Sequence, residues 1–141
     1  MIVLDTNVIS EALSRSPNAD VMAWLHHQDV SSLHMSAVSV AEISYGIALL
    51  PKGERRARLA EAWHELQMAW ADRIVSVGAT EAELAGVDLA SRRAKGRPIS
   101  LADALIAGVC ISRGCILATR NTQDFVDLGL HLMDPWQADR G

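Results

Sequence analysis

Apolar residues fall along this chain in two rhythms. Residues 2–4, 74–77, 116–118 and 131–133 form brief, partly β-branched runs, the pattern of buried strands, and 33–35 is a weaker run of the same kind. Between them, residues 8–13, 19–28, 38–50, 54–70, 81–95 and 101–113 space their apolar positions as helices do. Strands alternating with helices predict an α/β domain on a mostly parallel sheet of about five strands. In such sheets ligands gather beyond the carboxyl ends of the strands. Asp5, which ends the first apolar run, stands there.

Composition narrows the picture. A length of 141 residues suits one domain, and no repeat, low-complexity tract or long linker divides it. Half the residues are hydrophobic, an excess that predicts apolar surface covered by another chain. No run approaches the roughly 18 apolar residues of a membrane span. The first residues lack the basic and apolar regions of a secretory signal, so a cytoplasmic protein is expected. A net charge of -4 leaves no global footprint for nucleic acid. Any polyanion must be held by local basic patches or a metal. Cys110 and Cys115 have no metal-site spacing, Cys110 reads as a packing residue in its apolar run, and His26-His27 reads as a solvated pair at a helix end.

The acids carry the chemistry. Asp5-Thr6-Asn7 serves equally well as a helix cap or as a site, and that stretch alone decides neither. Ser39-Val-Ala-Glu42, Ser100-Leu-Ala-Asp103 and Thr80-Glu-Ala-Glu83 all fit the capping-box spacing. Their surroundings differ. Glu83 shares its helix with Glu81, Asp88, Arg92 and Arg93, a wet face, and reads as a cap only. Asp103 is the only charge in LADALIAGVCI, and Glu42 shares its face with Val38, Tyr45, Gly46 and Leu49. A helix apolar all round is buried, and a solitary carboxylate there costs several kcal/mol unless paired or bound to a metal. Neither acid has a base three or four positions away.

A further polar cluster follows residues 116–118, with Thr119, Asn121 and Asp124; the last two also suit turn or cap positions. If that strand neighbours the first, Thr119 and Asn121 meet Asp5 at one sheet edge. Converging acids repel unless a cation lies between them. All the donors are oxygens, which suits Mg²⁺ or Mn²⁺ rather than Zn²⁺. Such an ion serves phosphodiester hydrolysis. Two basic stretches stand out as candidates for steering the substrate. KGERRAR at 52–58 reads as a solvated helix end. RRAKGR at 92–97, with Arg92, Arg93, Lys95 and Arg97, leads into Ser100 and Asp103 and reads as substrate-binding.

Four segments together, LDTNVIS at 4–10, SAVSVAEISYGI at 36–47, ISLADALIAGVC at 99–110 and ATRNTQDF at 118–125, resemble the PIN-domain family. Within it the chain looks like the VapC-type toxins, and most like their FitB-like subgroup. The resemblance spans essentially the whole chain. It implies a three-layer α/β/α fold and an Mg²⁺-dependent ribonuclease inhibited by a small VapB-like antitoxin. It makes Asp5 and Asp103 the principal metal ligands, with Glu42 acting through water. Thr6 would lie by the scissile phosphate, Asn7 would order the loop, and Thr119 would offer a hydroxyl near the metal. Many relatives carry an acid where this chain has Asn121, while Asp124 keeps the later acid. This departure bears on a fourth ligand and a second ion.

Other functions compete with this one. A PIN-fold binding module, acting in a DNA-bound complex with its antitoxin, is favoured only by Asn121. A phosphoryl-accepting receiver domain needs adjacent acids after the first strand, which this chain lacks. The enzyme reading implies an RNA substrate, a homodimer built around residues 81–95, and a higher-order toxin–antitoxin complex. Operator DNA would be met only through the antitoxin, and no membrane is involved. The groove for the antitoxin would lie between residues 8–13, 38–50 and 54–70. Trp24, Trp63, Met68 and Trp70 suit interface anchors taken together, although core packing is the better reading of each alone.

Overall fold

A computed structural model describes residues 1–138. Its sheet has the order β3-β2-β1-β4-β5 and is parallel throughout. The strands are β1 (Ile2–Leu4), β2 (Leu33–Ser36), β3 (Ile74–Val75), β4 (Ile116–Ala118) and β5 (His131–Met133). The helices are α1 (Thr6–Leu13), α2 (Ala19–His27), α3 (Ala37–Leu49), α4 (Glu54–Ala69), α5 (Ala79–Ala94), α6 (Leu101–Arg113) and the single turn α7 (Thr122–Phe125). The strand expected over 74–77 ends at Val75, and the others match the apolar runs within a residue.

Alternation along the strands sorts side chains to two faces. Leu4, Leu33, Met35 and Ala118 pack with Val8, Ile9, Val21, Trp24, Ile43 and Trp63, the face covered by α1 to α4. Val3, Val75 and Leu117 pack with Ile106, Ala107, Val109, Cys110 and Phe125, the face covered by α6 and α7. The result is the expected three-layer α/β/α arrangement. Trp24 and Trp63 are core residues, Trp70 is half-buried against the first cluster, and Met68 is exposed.

Helix α5 lies outside α6, and Gly108 is their point of closest approach. A Cβ there would stand 2.5 Å from the carbonyl oxygen of Glu81. The cap of α5 differs from expectation. Its N-cap is Gly78, whose N–H donates to Glu81 Oε2 at 2.9 Å, so Glu81 closes the first turn rather than Glu83. Glu81 is buried, not part of a wet face, and its other oxygen accepts from Ser112 at 3.0 Å. Its own backbone N–H, then Ser112 and Gly78, hold its carboxyl below the usual range. Helix α6 ends on Gly114 in the left-handed conformation (φ 61°), and Cys115 N–H reaches back to Cys110 O at 3.1 Å. That closure turns Cys110 and Cys115 inward as buried free thiols, for Cys110 the packing role read from the sequence.

The chain runs β1, β2, β3 outward on one side of β1, then returns to β4 on the other. The carboxyl ends of β1 and β4 therefore flank the switch point, where such sheets open a crevice. Leu4 is opposite Ala118, so the next residues of the two strands, Asp5 and Thr119, emerge side by side. No helix among the described residues is long and apolar enough to cross a membrane.

Candidate active site

Asp5 is both cap and site residue. Its Oδ1 accepts from Thr6 N–H at 2.8 Å, which caps α1, and its Oδ2 accepts from Thr119 Oγ1 at 2.7 Å and Asn7 Nδ2 at 3.1 Å. Three acceptor positions are thus filled out of the roughly four a carboxylate has. Only 4% of the residue is exposed. Burial raises its carboxyl above the ordinary range, and the charge of Glu42 adds to this, against the pull of its three donors.

Asn7 ties the loops together. Its amide nitrogen also reaches Thr119 Oγ1 at 3.2 Å, and its oxygen accepts from Arg120 N–H at 3.2 Å. This is the loop-ordering role the resemblance implies. Thr119 is fully buried, and its hydroxyl has no vacancy. It donates to Asp5 and accepts from Asn7 and from Asn121 N–H at 3.0 Å. A hydroxyl so engaged positions Asp5; it contacts an ion only by giving up a bond.

Glu42 comes from α3. Thr6 Oγ1 donates to its Oε1 at 2.6 Å and also pairs with Ser39 Oγ at 2.9 Å. Ser39 had no expected role beyond capping, yet it lies fully buried inside α3, whose cap is Ser36. The three-residue spacing to Glu42 hid this, because it suggested a helix starting three residues later. Helix α3 is also not apolar all round in the expected sense: Tyr45 and Leu49 on the Glu42 side are exposed, and Glu42 itself is half-buried.

Asp103 sits in the first turn of α6, where its N–H donates to the capping Ser100 Oγ at 3.1 Å. Its carboxyl is pushed up to about 6, by burial first and then by the charges of Asp5, Glu42 and Asp124, with the Ser100 hydroxyl opposing. The four acids therefore share one electrostatic neighbourhood. None of them forms an ion pair among the described residues. Asn121 is the exposed N-cap of α7 and makes no side-chain capping bond, and Asp124 is exposed in the same turn.

The basic stretch 92–97 is largely engaged in local contacts. Arg92 is 3% exposed, and its guanidinium donates to Arg97 O at 2.8 Å, Asp124 O at 2.7 Å and Asp127 Oδ1 at 3.0 Å. It clamps the α7 turn onto the end of α5 and has no face left for a substrate. Lys95 and Arg97 pair with the same Asp127 at 3.8 and 3.3 Å. Arg93 alone of the four is exposed and outside these pairs.

Among the described residues no three His, Cys, Asp or Glu side chains gather closely enough to hold an ion by themselves. Mg²⁺ does not require this, since it keeps several waters and takes one or two carboxylates together with substrate phosphates. Asp5 and Asp103 provide two buried or half-buried carboxylates with raised pKa and no base to neutralise them. They fit such an ion.

A parallel sheet in this strand order, with carboxylates gathered at its switch point, defines an α/β fold that carries an acidic site at the carboxyl ends of its strands. The PIN domain family model matches residues 2–129, and the chain belongs to that family. It is 42% identical over 140 residues to the plasmid stability protein StbB of Pseudomonas syringae pv. tomato, covering 98% of this chain and all of that one. It is 36% identical to the VapC ribonuclease Y4jK of Sinorhizobium fredii, covering 97% and 99% of the two chains. Among solved structures it resembles FitAcB from Neisseria gonorrhoeae, with a TM-score of 0.88 at 34% identity over 96% of this chain and 99% of that one. A second structure of the same kind, FitAB bound to an IR36 DNA fragment, superposes equally well.

Proposed function

We propose that this protein is the toxin of a toxin–antitoxin pair and acts as an Mg²⁺-dependent endoribonuclease. The observation that carries the reading is the pairing of Asp5 and Asp103 at the switch point, with raised pKa values and no basic partner. The relatives named ribonuclease and endonuclease support the reaction class, and the relative named Toxin FitB, together with the likeness to FitAcB, supports the setting.

In this reading Asp5 and Asp103 hold the ion, Glu42 reaches it through water, and Mn²⁺ is an acceptable substitute. Bound there, the ion supplies an activated water and neutralises charge developing on the phosphoryl oxygens. The remaining work belongs to side chains. Thr119, Asn7 and Thr6 N–H fix the Asp5 carboxylate, so it needs little reorganisation when substrate arrives. The Thr6 hydroxyl fixes Glu42 in the same way and stands beside the phosphate that enters between them. Asp124, on the α7 turn, lies close enough for its charge to reach Asp103, and Asn121 on the same turn would offer a neutral oxygen where a fourth acid would offer a charged one, which favours a single tightly held ion.

The proposed partners are an RNA substrate, a VapB-like antitoxin in the groove between α1, α3 and α4, and a second copy meeting around α5. Contact with operator DNA then passes through the antitoxin in a higher-order complex. Asp5→Asn should abolish RNA cleavage in Mg²⁺ while the protein stays folded. Cleavage at the parent rate would refute the assignment. Asn121 favours a second reading, a catalytically weak binding module. It would be supported if the parent bound antitoxin tightly yet left RNA intact in both Mg²⁺ and Mn²⁺.

A further inference from the structure

We infer that Arg15, Arg55 and Arg58 form a distal phosphate site that holds the backbone of single-stranded RNA away from the scissile bond. The inference rests on the nuclease reading and identifies where the substrate lies.

The three guanidinium-bearing residues line one concavity of about 640 Å³, together with Ser14, Glu54 and Leu59. All three are exposed, and none takes part in an ion pair among the described residues, Glu54 included. Three cations around a single carboxylate, Glu54, leave an excess of positive charge, and a bound anion relieves the repulsion among them. The backbone adds to this. Helix α4 starts at the same wall with Gly53 as its N-cap, so its first N–H groups have no side-chain acceptor. A 16-residue helix presents a partial positive charge there. Guanidinium groups match phosphate oxygens in a bidentate manner, which a lysine patch would not.

The concavity is also connected to the acids. A groove of about 270 Å³ shares Ser14, Arg55 and Leu59 with it, and runs between α1 and α3 to Glu42. A polyanion cut beside Glu42 can follow this groove to the arginines. The chain carries a net charge of -4 and Arg92 is buried against Asp127, so a cationic concavity joined to the acids adds to what can retain RNA. The stretch 52–58, read from sequence as merely solvated, supplies two of its arginines.

The test uses the whole protein and the triple variant Arg15→Gln, Arg55→Gln, Arg58→Gln, which keeps polar side chains of similar reach. Binding of a fluorescein-labelled oligouridylate long enough to span the groove is followed by anisotropy against salt, in EDTA. Loss of three phosphate contacts should lower the slope of log affinity against log salt by about 2, with at least a tenfold loss of affinity at low salt. Cleavage of a dinucleotide, too short to bridge both ends, should be unaffected. An unchanged slope, or no salt-dependent binding by the parent, overturns the site. If the slope is unchanged while the parent cleaves RNA, the site fails and the nuclease reading stands. If the slope falls although neither protein cleaves RNA, the site stands and the nuclease reading fails. An unchanged slope with loss of a synthetic acidic amphipathic peptide that the parent binds would assign the three arginines to the antitoxin groove between α1, α3 and α4 and not to RNA, and the inference would be wrong.

Discussion

Replacing Asp103 by asparagine should stabilise the fold at neutral pH and leave it nearly unchanged in acid. The unfolded carboxyl titrates near 3.8 and the folded one near 6. Below 3.8 both states are protonated, and the group contributes nothing. Between the two values the unfolded state ionises first, so stability falls as pH rises, and above about 6 the loss is constant. A difference of roughly two pKa values sets a ceiling of about 3 kcal/mol at 1.36 kcal/mol for each. The residue is only half-buried, and screening by water reduces this to about 1–2 kcal/mol. Urea unfolding at pH 4 and pH 7.5 should therefore show a higher midpoint for Asp103→Asn only at the higher pH, with an unchanged slope. Mg²⁺ should reverse the order. The parent gains about 2.7 kcal/mol at a hundred times its Kd, whereas the variant gains little. A variant no more stable than the parent at pH 7.5, or one stabilised equally at both pH values, would refute the clustering argument.

Three other changes test the supports of the site. Thr119→Val removes the 2.7 Å donor to Asp5 and the acceptor for Asn7 and Asn121 N–H; it should cost about 1–3 kcal/mol and move the acidic limb of the cleavage pH profile upward, because Asp5 loses a bond that favours its ionised form. Gly108→Ala drives a methyl into the Glu81 carbonyl and should cost about 1–3 kcal/mol in thermal unfolding, while Gly86→Ala on the open side of α5 should gain about 0.5–1 kcal/mol. Arg92→Met leaves Asp127 Oδ1 and two carbonyls without their buried donor, while Lys95 and Arg97 still pair with Asp127, and should cost about 1–3 kcal/mol, with no change in the salt dependence of RNA binding; a weaker salt dependence in a variant of parental stability would return Arg92 to the substrate path.

The fold was legible because its signals are local. Strand runs bounded by polar residues and helices with apolar faces need no knowledge of distant contacts, and the parallel pairing follows from their alternation. Helix starts were less legible, for a physical reason. The capping-box spacing appears at Ser39–Glu42 and Thr80–Glu83, but a cap is defined by extended backbone at its own position. Ser36 has that backbone because β2 runs straight into α3, and Gly78 has it at the head of α5. Displacing the start by three residues placed Ser39 inside the helix and gave its hydroxyl to Thr6. It also exchanged Glu83 for Glu81 as the residue that closes the turn.

Acids and arginines differed in legibility because they differ in reach. A carboxylate on a short stem answers to its own helix face, so the lack of a base within four positions of Asp103 or Glu42 already implied an unpaired charge in the fold. The long stem of an arginine lets its head settle far from its Cα. Arg92 finds Asp127, 35 residues away, and the carbonyl of Asp124, 32 away, and no local pattern in RRAKGR announces this. KGERRAR carries the same kind of charge on α4, but no carboxylate folds back onto Arg55 or Arg58 within the described residues. The decision between a structural and a binding arginine thus lies in where the acids of other segments end up. That is a property of the packed chain, and it reverses the order in which the two stretches ranked as sequences.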